Sequence, residues 1–170
     1  KLALPFTISV NSTQVVMDSL QQQLRGLPKF FPDAWRQAAA WAFNHDQLAT
    51  ASAWADTAIG LGATYQNLML KSRILAKEGN QAGADSLKTR ALAIATEADM
   101  NVYGYQLMQQ GKKEEALAVF LKNTKTYPQS WNTWDSLAEC YGNMGNKKLA
   151  IANYQKALAM VGDPTQKRRI

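Results

Sequence analysis

The chain has 170 residues, 46% of them hydrophobic, which is enough to bury a core and fits one elongated domain. Its net charge of +6 comes from interspersed basic and acidic residues, so it does not predict nucleic-acid binding, which usually concentrates basic residues on one face. No apolar run approaches the ~18 residues that a membrane-spanning helix requires, and a single cysteine, Cys140, excludes an internal disulfide.

The first predicted element is a short strand. Residues 4–10 alternate apolar and polar side chains, as a half-buried strand does, with Phe6, Ile8 and Val10 on one side. The chain offers this strand no evident partner, and a lone strand is not stable in water. We therefore expect the strand either to pair with the same strand of a second molecule, giving a homodimer, or to complete a sheet formed by upstream sequence.

A helix is predicted next, over Thr13–Arg25. Asn11 or Ser12 offers it an N-cap, and Gly26 ends it. Its apolar residues fall on one face, so we expect this helix to cover the apolar end of the repeats that follow. Strand and helix together form a predicted N-terminal segment over residues 1–31.

From residue 32 to residue 170 the sequence predicts one repeat domain. The last two repeats are in the clearest register, because Gly111 recurs as Gly145 and Ala116 recurs as Ala150. A period of about 34 with this pattern is typical of helix hairpins that bury their apolar faces against one another. The four predicted repeats are residues 32–63, 65–96, 97–130 and 131–164.

The last repeat shows two helix faces. The apolar residues of its first helix follow the i, i+3, i+4, i+7 spacing, and Gly145 then breaks the helix, since glycine enters the left-handed conformation without steric cost. A small residue at Ala150 suits a close helix crossing. The predicted apolar stripes are Trp134, Leu137, Ala138 and Tyr141 on the first helix, and Ala150, Ile151, Tyr154, Ala157 and Leu158 on the second.

These residues resemble the pattern of the tetratricopeptide repeat (TPR) family. The resemblance implies an all-α fold: a right-handed superhelical stack of about four helix hairpins, with an N-terminal capping helix and one short N-terminal strand. The sequence departs from the family pattern at Met100 and Asn123, where alanine is usual, and at Lys71 and Lys88, where apolar residues are usual.

The whole chain also resembles the C-terminal part of exported bacterial proteins of unknown function, in which TPR-like repeats follow a β-rich domain. The shared features are the strand "PFTISV", the helix ending in "LRGLP" and the four repeats. This second resemblance implies an upstream β-rich domain and a periplasmic or secreted location.

The TPR resemblance implies a binding groove. In that family the first helices line a concave surface, and positions 2, 5, 9 and 12–13 of each repeat point into it. Amide side chains can hydrogen-bond an extended peptide, and aromatic ones can hold its apolar side chains, so the implied partner is an unidentified protein or peptide. The candidate ligand-binding residues are Arg36, Phe43, Arg73, Asn101, Tyr105, Asn132, Asp135 and Glu139.

Catalytic chemistry has little support in the sequence. His45 is the only histidine and lies in a predicted turn, Asn44–Asp46, so no nucleophile–base pair is apparent. No glycine-rich phosphate loop, paired cysteines or HxxxH spacing is present. We therefore predict no enzyme activity, no catalytic or metal-binding residue and no cofactor, and we expect Cys140 to be a packed thiol.

Two functions remain open at this point. The first is a scaffold that binds a protein or peptide in the concave groove of the first helices. In the second, the repeats are a structural or dimerising arm for an upstream β-rich domain that carries the activity. A long open groove favours the scaffold, and a groove closed by the N-terminal helix or by a second copy favours the arm.

Overall fold

The computed structural model describes residues 11–162 together with Thr165 and Lys167, and the regular structure of this part of the chain is entirely helical. The predicted all-α fold class and its helix hairpins are confirmed, while the strand predicted at residues 4–10 lies outside the described residues. The elements are α1 Ser12–Gln23, a 3-10 helix Leu27–Phe30, α2 Pro32–Asn44, α3 Leu48–Leu61, α4 Tyr65–Lys77, α5 Gln81–Ile94, α6 Glu97–Gln109, α7 Lys113–Thr126, α8 Trp131–Asn143 and α9 Lys147–Met160.

The helices form two compact units that divide between Ile94 and Ala95. Unit 1 holds α1 and the hairpins α2–α3 and α4–α5, and unit 2 holds the hairpins α6–α7 and α8–α9. In each unit the two first helices are neighbours, α2 with α4 and α6 with α8. The predicted hairpins therefore stack in register within each unit.

Tight turns close the four hairpins. Gly79, Gly111 and Gly145 have φ angles of +86°, +76° and +81°, and Asp46 takes the equivalent place in the first hairpin with φ of +59°. Glycine adopts this conformation without a Cβ penalty, and Asp is one of the few other residues that tolerate it. The turn predicted around His45 is therefore confirmed, although its left-handed residue is not a glycine.

Small residues lie where the helices of a hairpin cross. Ala51, Ala84, Ala116 and Ala150, which the repeat register aligns, are all buried. Each lies near the start of the second helix of its hairpin. A methyl group at this position lets the two helices approach more closely than a longer side chain would allow.

The first repeat builds its core largely from alanine. Trp54 adds bulk at the border of this core, and Met17 of α1 packs against it. The contact made by Met17 agrees with the expectation that the N-terminal helix covers the end of the first repeat. The buried cluster consists of Ala39, Ala42, Ala51 and Ala55 together with Leu70 and Ile74 of α4.

Two departures from the repeat pattern are buried polar residues that make hydrogen bonds. The ammonium group of Lys71 donates to Ser52 Oγ at 2.7 Å, to the Ser52 carbonyl at 3.1 Å and to the Asp56 carboxylate at 2.7 Å. The amide of Asn123 donates to the carbonyl of Glu97 at 3.1 Å, linking the end of α7 to the start of α6. These bonds explain why polar side chains are tolerated at positions that are usually apolar.

The predicted apolar stripe of α9 is wrong in part. Ala150 and Ala157 are buried, but Ile151 is 57% exposed and Leu158 is 41% exposed. The helix packs through positions 150, 153 and 157, and each following residue is turned by roughly 100° around the helix axis. Asn153 therefore occupies the buried face, where its amide donates to the Leu149 carbonyl at 2.8 Å.

Candidate functional site

The predicted ligand-binding residues lie on the first helices of the hairpins. Because α2 neighbours α4 and α6 neighbours α8, these residues lie on two pairs of neighbouring helices, one pair in each unit. The unit 1 group is Arg36 and Phe43 on α2 with Arg73 on α4, and the unit 2 group is Asn101 and Tyr105 on α6 with Asn132, Asp135 and Glu139 on α8.

In unit 2, hydrogen bonds join the two first helices. The hydroxyl of Tyr105 donates to the carboxylate of Glu139 at 2.7 Å and lies 3.3 Å from Ser136 Oγ. Nearer the start of α6, the carboxylate of Glu97 accepts from Ser130 Oγ at 2.7 Å and from the Asn132 amide at 3.2 Å. We call the surface formed by Glu97, Asn101, Tyr105, Asn132, Asp135 and Glu139 the polar surface of unit 2.

Tyr105 is fixed at both ends of its side chain. Its ring meets the ring of buried Phe120 edge-on, with centroids 5.3 Å apart. Burial, assisted by the hydrogen bond to Glu139, raises the pKa of Tyr105 far above its ordinary value. The phenol is therefore a neutral donor at physiological pH, held in one orientation.

Asn101 lies one helical turn before Tyr105 on α6. Its Oδ1 atom is buried and has no hydrogen-bond partner among the described residues. The Oδ1 atoms of Asn67 and Asn123 are in the same condition, and each buried acceptor without a donor costs about 1–3 kcal/mol.

In unit 1, two cationic side chains gather at one aromatic ring. The guanidinium carbon of Arg73 and the ammonium nitrogen of Lys77 each lie 5.1 Å from the centroid of Phe43. Lys77 also bonds the Asp46 carboxylate at 2.5 Å. Arg36 is separate from this group, because its Nε donates to Asp33 of the same helix at 3.2 Å.

Several residues that contact the candidates in the two units were not themselves among the predicted candidates. Glu97 is the first residue of α6, where an acidic side chain is expected simply because it favours the helix dipole, so position alone does not mark it as a surface residue. Ser136 and Asp46 likewise fall outside the repeat positions that predict a groove. The sequence signal that marks Asp46 is its place in the predicted turn Asn44–Asp46, where it adopts a positive φ.

Other candidates from the sequence have structural roles. Cys140 is fully buried, and this burial raises the pKa of its thiol, as expected for a packed cysteine. His45 stacks on Trp41 with ring centroids 3.8 Å apart. Within the described residues, no three His, Cys, Asp or Glu side chains are grouped so that they could hold a metal ion, and no helix is long and apolar enough to cross a membrane.

No protein-family model matches the chain, and no curated protein matches its sequence. Solved structures do match it. One is YrrB, a TPR protein with an unusual peptide-binding site, which aligns 83% of its length with 94% of this chain at 17% identity and a TM-score of 0.51. The C-terminal part of a TPR repeat-containing protein from Cytophaga hutchinsonii aligns 63% of its length with 92% of this chain, at 14% identity and a TM-score of 0.56. The chain has the TPR fold.

A third TPR-like match covers both chains almost completely. The structure of MamA aligns over its entire length with 96% of this chain, at 12% identity and a TM-score of 0.52. At identities this low, the structural similarity establishes a shared fold and does not identify the ligand of this chain.

Proposed function

We propose that this chain is a scaffold that binds a protein or peptide through the first helices of its hairpins. The observation that carries the proposal is the polar surface of unit 2. Hydrogen bonds between α6 and α8 hold the side chains of Tyr105, Glu139, Glu97 and Asn132 in place. A surface that is ordered before binding loses less conformational entropy when a ligand arrives.

An extended peptide suits the chemistry of this surface. Peptide N–H groups can donate to amide and carboxylate oxygens, and peptide carbonyls can accept from amide nitrogens. The ring of Tyr105 is half-buried and can contact an apolar side chain of a ligand. The likeness in fold to YrrB, a TPR protein with an unusual peptide-binding site, supports a ligand of this class.

The test is selection from a random peptide library displayed on phage. The unmodified chain is expected to enrich a consistent set of peptides. A variant combining Asn101→Ala, Tyr105→Phe and Asn132→Ala should bind those peptides about tenfold more weakly or worse, because it removes several hydrogen-bonding groups. Its circular dichroism and melting temperature should stay close to those of the unmodified chain, since the ring of residue 105 still packs on Phe120.

A matched control changes three exposed residues on second helices: Arg90→Gln, Lys125→Ala and Gln155→Ala. This control should bind the selected peptides normally. Equal binding by the Asn101, Tyr105 and Asn132 variant would exclude the polar surface of unit 2 as the site. Failure of the unmodified chain to enrich any peptide would contradict the scaffold proposal.

The structural-arm function is a second candidate, and apolar residues at the start of unit 1 favour it. Leu27, Phe30 and Phe31 are more than half exposed, and a cavity of about 340 Å³ lies between α1 and α2 in the same unit. Exposed apolar groups of this size are typical of surfaces that another domain or subunit covers. This function predicts that selection returns no peptide specific for the first helices. The upstream β-rich domain and the periplasmic or secreted location remain predictions from the resemblance.

A further inference from the structure

Arg73 is an exposed arginine for which the structure provides no anionic partner. Three carboxylates of unit 1 pair with other cations, Asp33 with Arg36, Asp56 with Lys71 and Asp46 with Lys77, and Arg73 has no ion pair among the described residues. The interaction that Arg73 does make is with the ring of Phe43, at 5.1 Å from its centroid. Its guanidinium donors are therefore oriented by an aromatic face and remain available.

The ring that orients Arg73 is itself well anchored. Phe43 of α2 packs against the alanine-rich core of unit 1, and this packing restricts the position of its ring. Lys77 lies one turn beyond Arg73 on α4 and approaches the same ring. Two like charges at one ring repel one another, and an anion placed between them would relieve that repulsion.

Asp46 neutralises only part of this charge. Its carboxylate bonds Lys77, and this hydrogen bond, with the positive charge of Lys77, lowers the pKa of Asp46. Asp46 is therefore ionised at physiological pH and holds the Lys77 side chain in position. Because Asp46 carries one negative charge and Arg73 and Lys77 carry two positive charges, these three side chains together keep a net positive charge.

We infer that Phe43, Arg73 and Lys77 bind the side-chain carboxylate of an aspartate or glutamate in an extended peptide. The planar guanidinium of Arg73 can donate two parallel hydrogen bonds to such a carboxylate, and the aliphatic part of the same peptide residue can lie on the Phe43 ring. A free C-terminal carboxylate offers the same chemical group, and the experiment below distinguishes it from a side-chain carboxylate. The inference rests on the proposed function and deepens it by naming a ligand class.

The experiment uses three octapeptides, each N-acetylated. The first alternates alanine and glutamate and ends in an amide, the second has glutamine in place of glutamate, and the third is the glutamine peptide with a free C-terminal carboxylate. Each is titrated into the chain at low ionic strength, while the Nε–H resonance of Arg73 is followed by NMR. The glutamate peptide should shift this resonance, and both glutamine peptides should leave it nearly unchanged.

Matched variants separate a defined site from general electrostatic attraction. Arg73→Gln with Lys77→Gln should weaken binding of the glutamate peptide by about tenfold or more, because charge-assisted hydrogen bonds are lost. Arg25→Gln with Arg90→Gln removes the same charge from exposed positions elsewhere in unit 1 and should leave the affinity unchanged. Equal weakening by both pairs would overturn the inference.

Two further outcomes would also overturn it: equal binding of the glutamate and amidated glutamine peptides, or preferential binding of the peptide with the free C-terminus.

Failure of this inference is distinguishable from failure of the proposed function. If the inference alone is wrong, the peptides selected by phage display will lack acidic residues and bind the Arg73→Gln, Lys77→Gln variant normally. If the proposed function is wrong, no peptides will be selected.

Discussion

At the scale of single residues, the packing of unit 2 depends on the missing side chain at Gly104. A Cβ built there would lie 2.5 Å from Cζ of Phe120, and the Phe120 ring is fully buried and has no room to move aside. The ring of Phe120 also packs edge-on against the ring of Tyr105. A change at Gly104 therefore affects both the hairpin core and the residue that anchors the polar surface of unit 2.

We predict that Gly104→Ala lowers the free energy of unfolding. Overpacking a core typically costs about 1–3 kcal/mol, and this outweighs the roughly 1 kcal/mol that alanine gains over glycine inside a helix. Chemical denaturation with urea measures the difference. Gly60→Ala is the matched control, because Gly60 is also helical but a Cβ there meets nothing within 4 Å, so this variant should be stabilised. Equal stabilisation of both variants would contradict the close contact at Phe120.

At the scale of helices, the four hairpins depend on an alanine near the start of each second helix. Ala116 and Ala150 are 0% and 6% exposed, and each lies in the fourth position of the second helix of its hairpin. Since helix separation depends on side-chain size at the contact, these positions set how closely α6 meets α7 and α8 meets α9.

We predict that Ala116→Leu and Ala150→Leu each destabilise the chain by about 1–3 kcal/mol, because leucine overpacks the helix crossing. Ala118→Leu and Ala152→Leu are controls on the same two helices at exposed positions, and their melting temperatures should be close to that of the unmodified chain. Thermal unfolding followed by circular dichroism at 222 nm provides the measurement. Unchanged melting of both buried variants would count heavily against the repeat register.

At the scale of the whole molecule, each of the two units has a buried core among the described residues. The apolar cluster of unit 1 runs from Ala39 to Ile74, with Met17 at its border, and unit 2 has its own buried residues, including Phe120 and Leu137. The strand predicted at residues 4–10 lies outside the described residues, and we expect from its sequence alone that it pairs with another chain or domain.

Deleting residues 1–10 should consequently leave a folded helical protein. Helix content and melting temperature are expected to stay unchanged, and any self-association measured by analytical ultracentrifugation should decrease, because the predicted strand would be removed. Loss of helix content on deletion would instead show that this segment belongs to the core of unit 1. The homodimer remains a prediction until that measurement.

The sequence by itself determined the elements and their order. Helix faces follow from apolar spacing, turns follow from Gly79, Gly111 and Gly145, and the crossings follow from a small residue repeated once per hairpin. These signals are local, because each depends on backbone preferences or on contacts within one hairpin. The repeat period extended them to the stacking of neighbouring hairpins.

Only the tertiary structure decided which side chains meet across helices. Tyr105 and Glu139 lie 34 residues apart, so the period places them at equivalent positions of neighbouring helices, but it does not predict that they bond. The contact between Arg73 and the ring of Phe43 was not predicted either. The placement of Ile151 on the apolar stripe of α9 was wrong, because its side chain is exposed. Such contacts depend on helix separation, rotation and rotamer, which neighbouring helices set together and which no local pattern encodes.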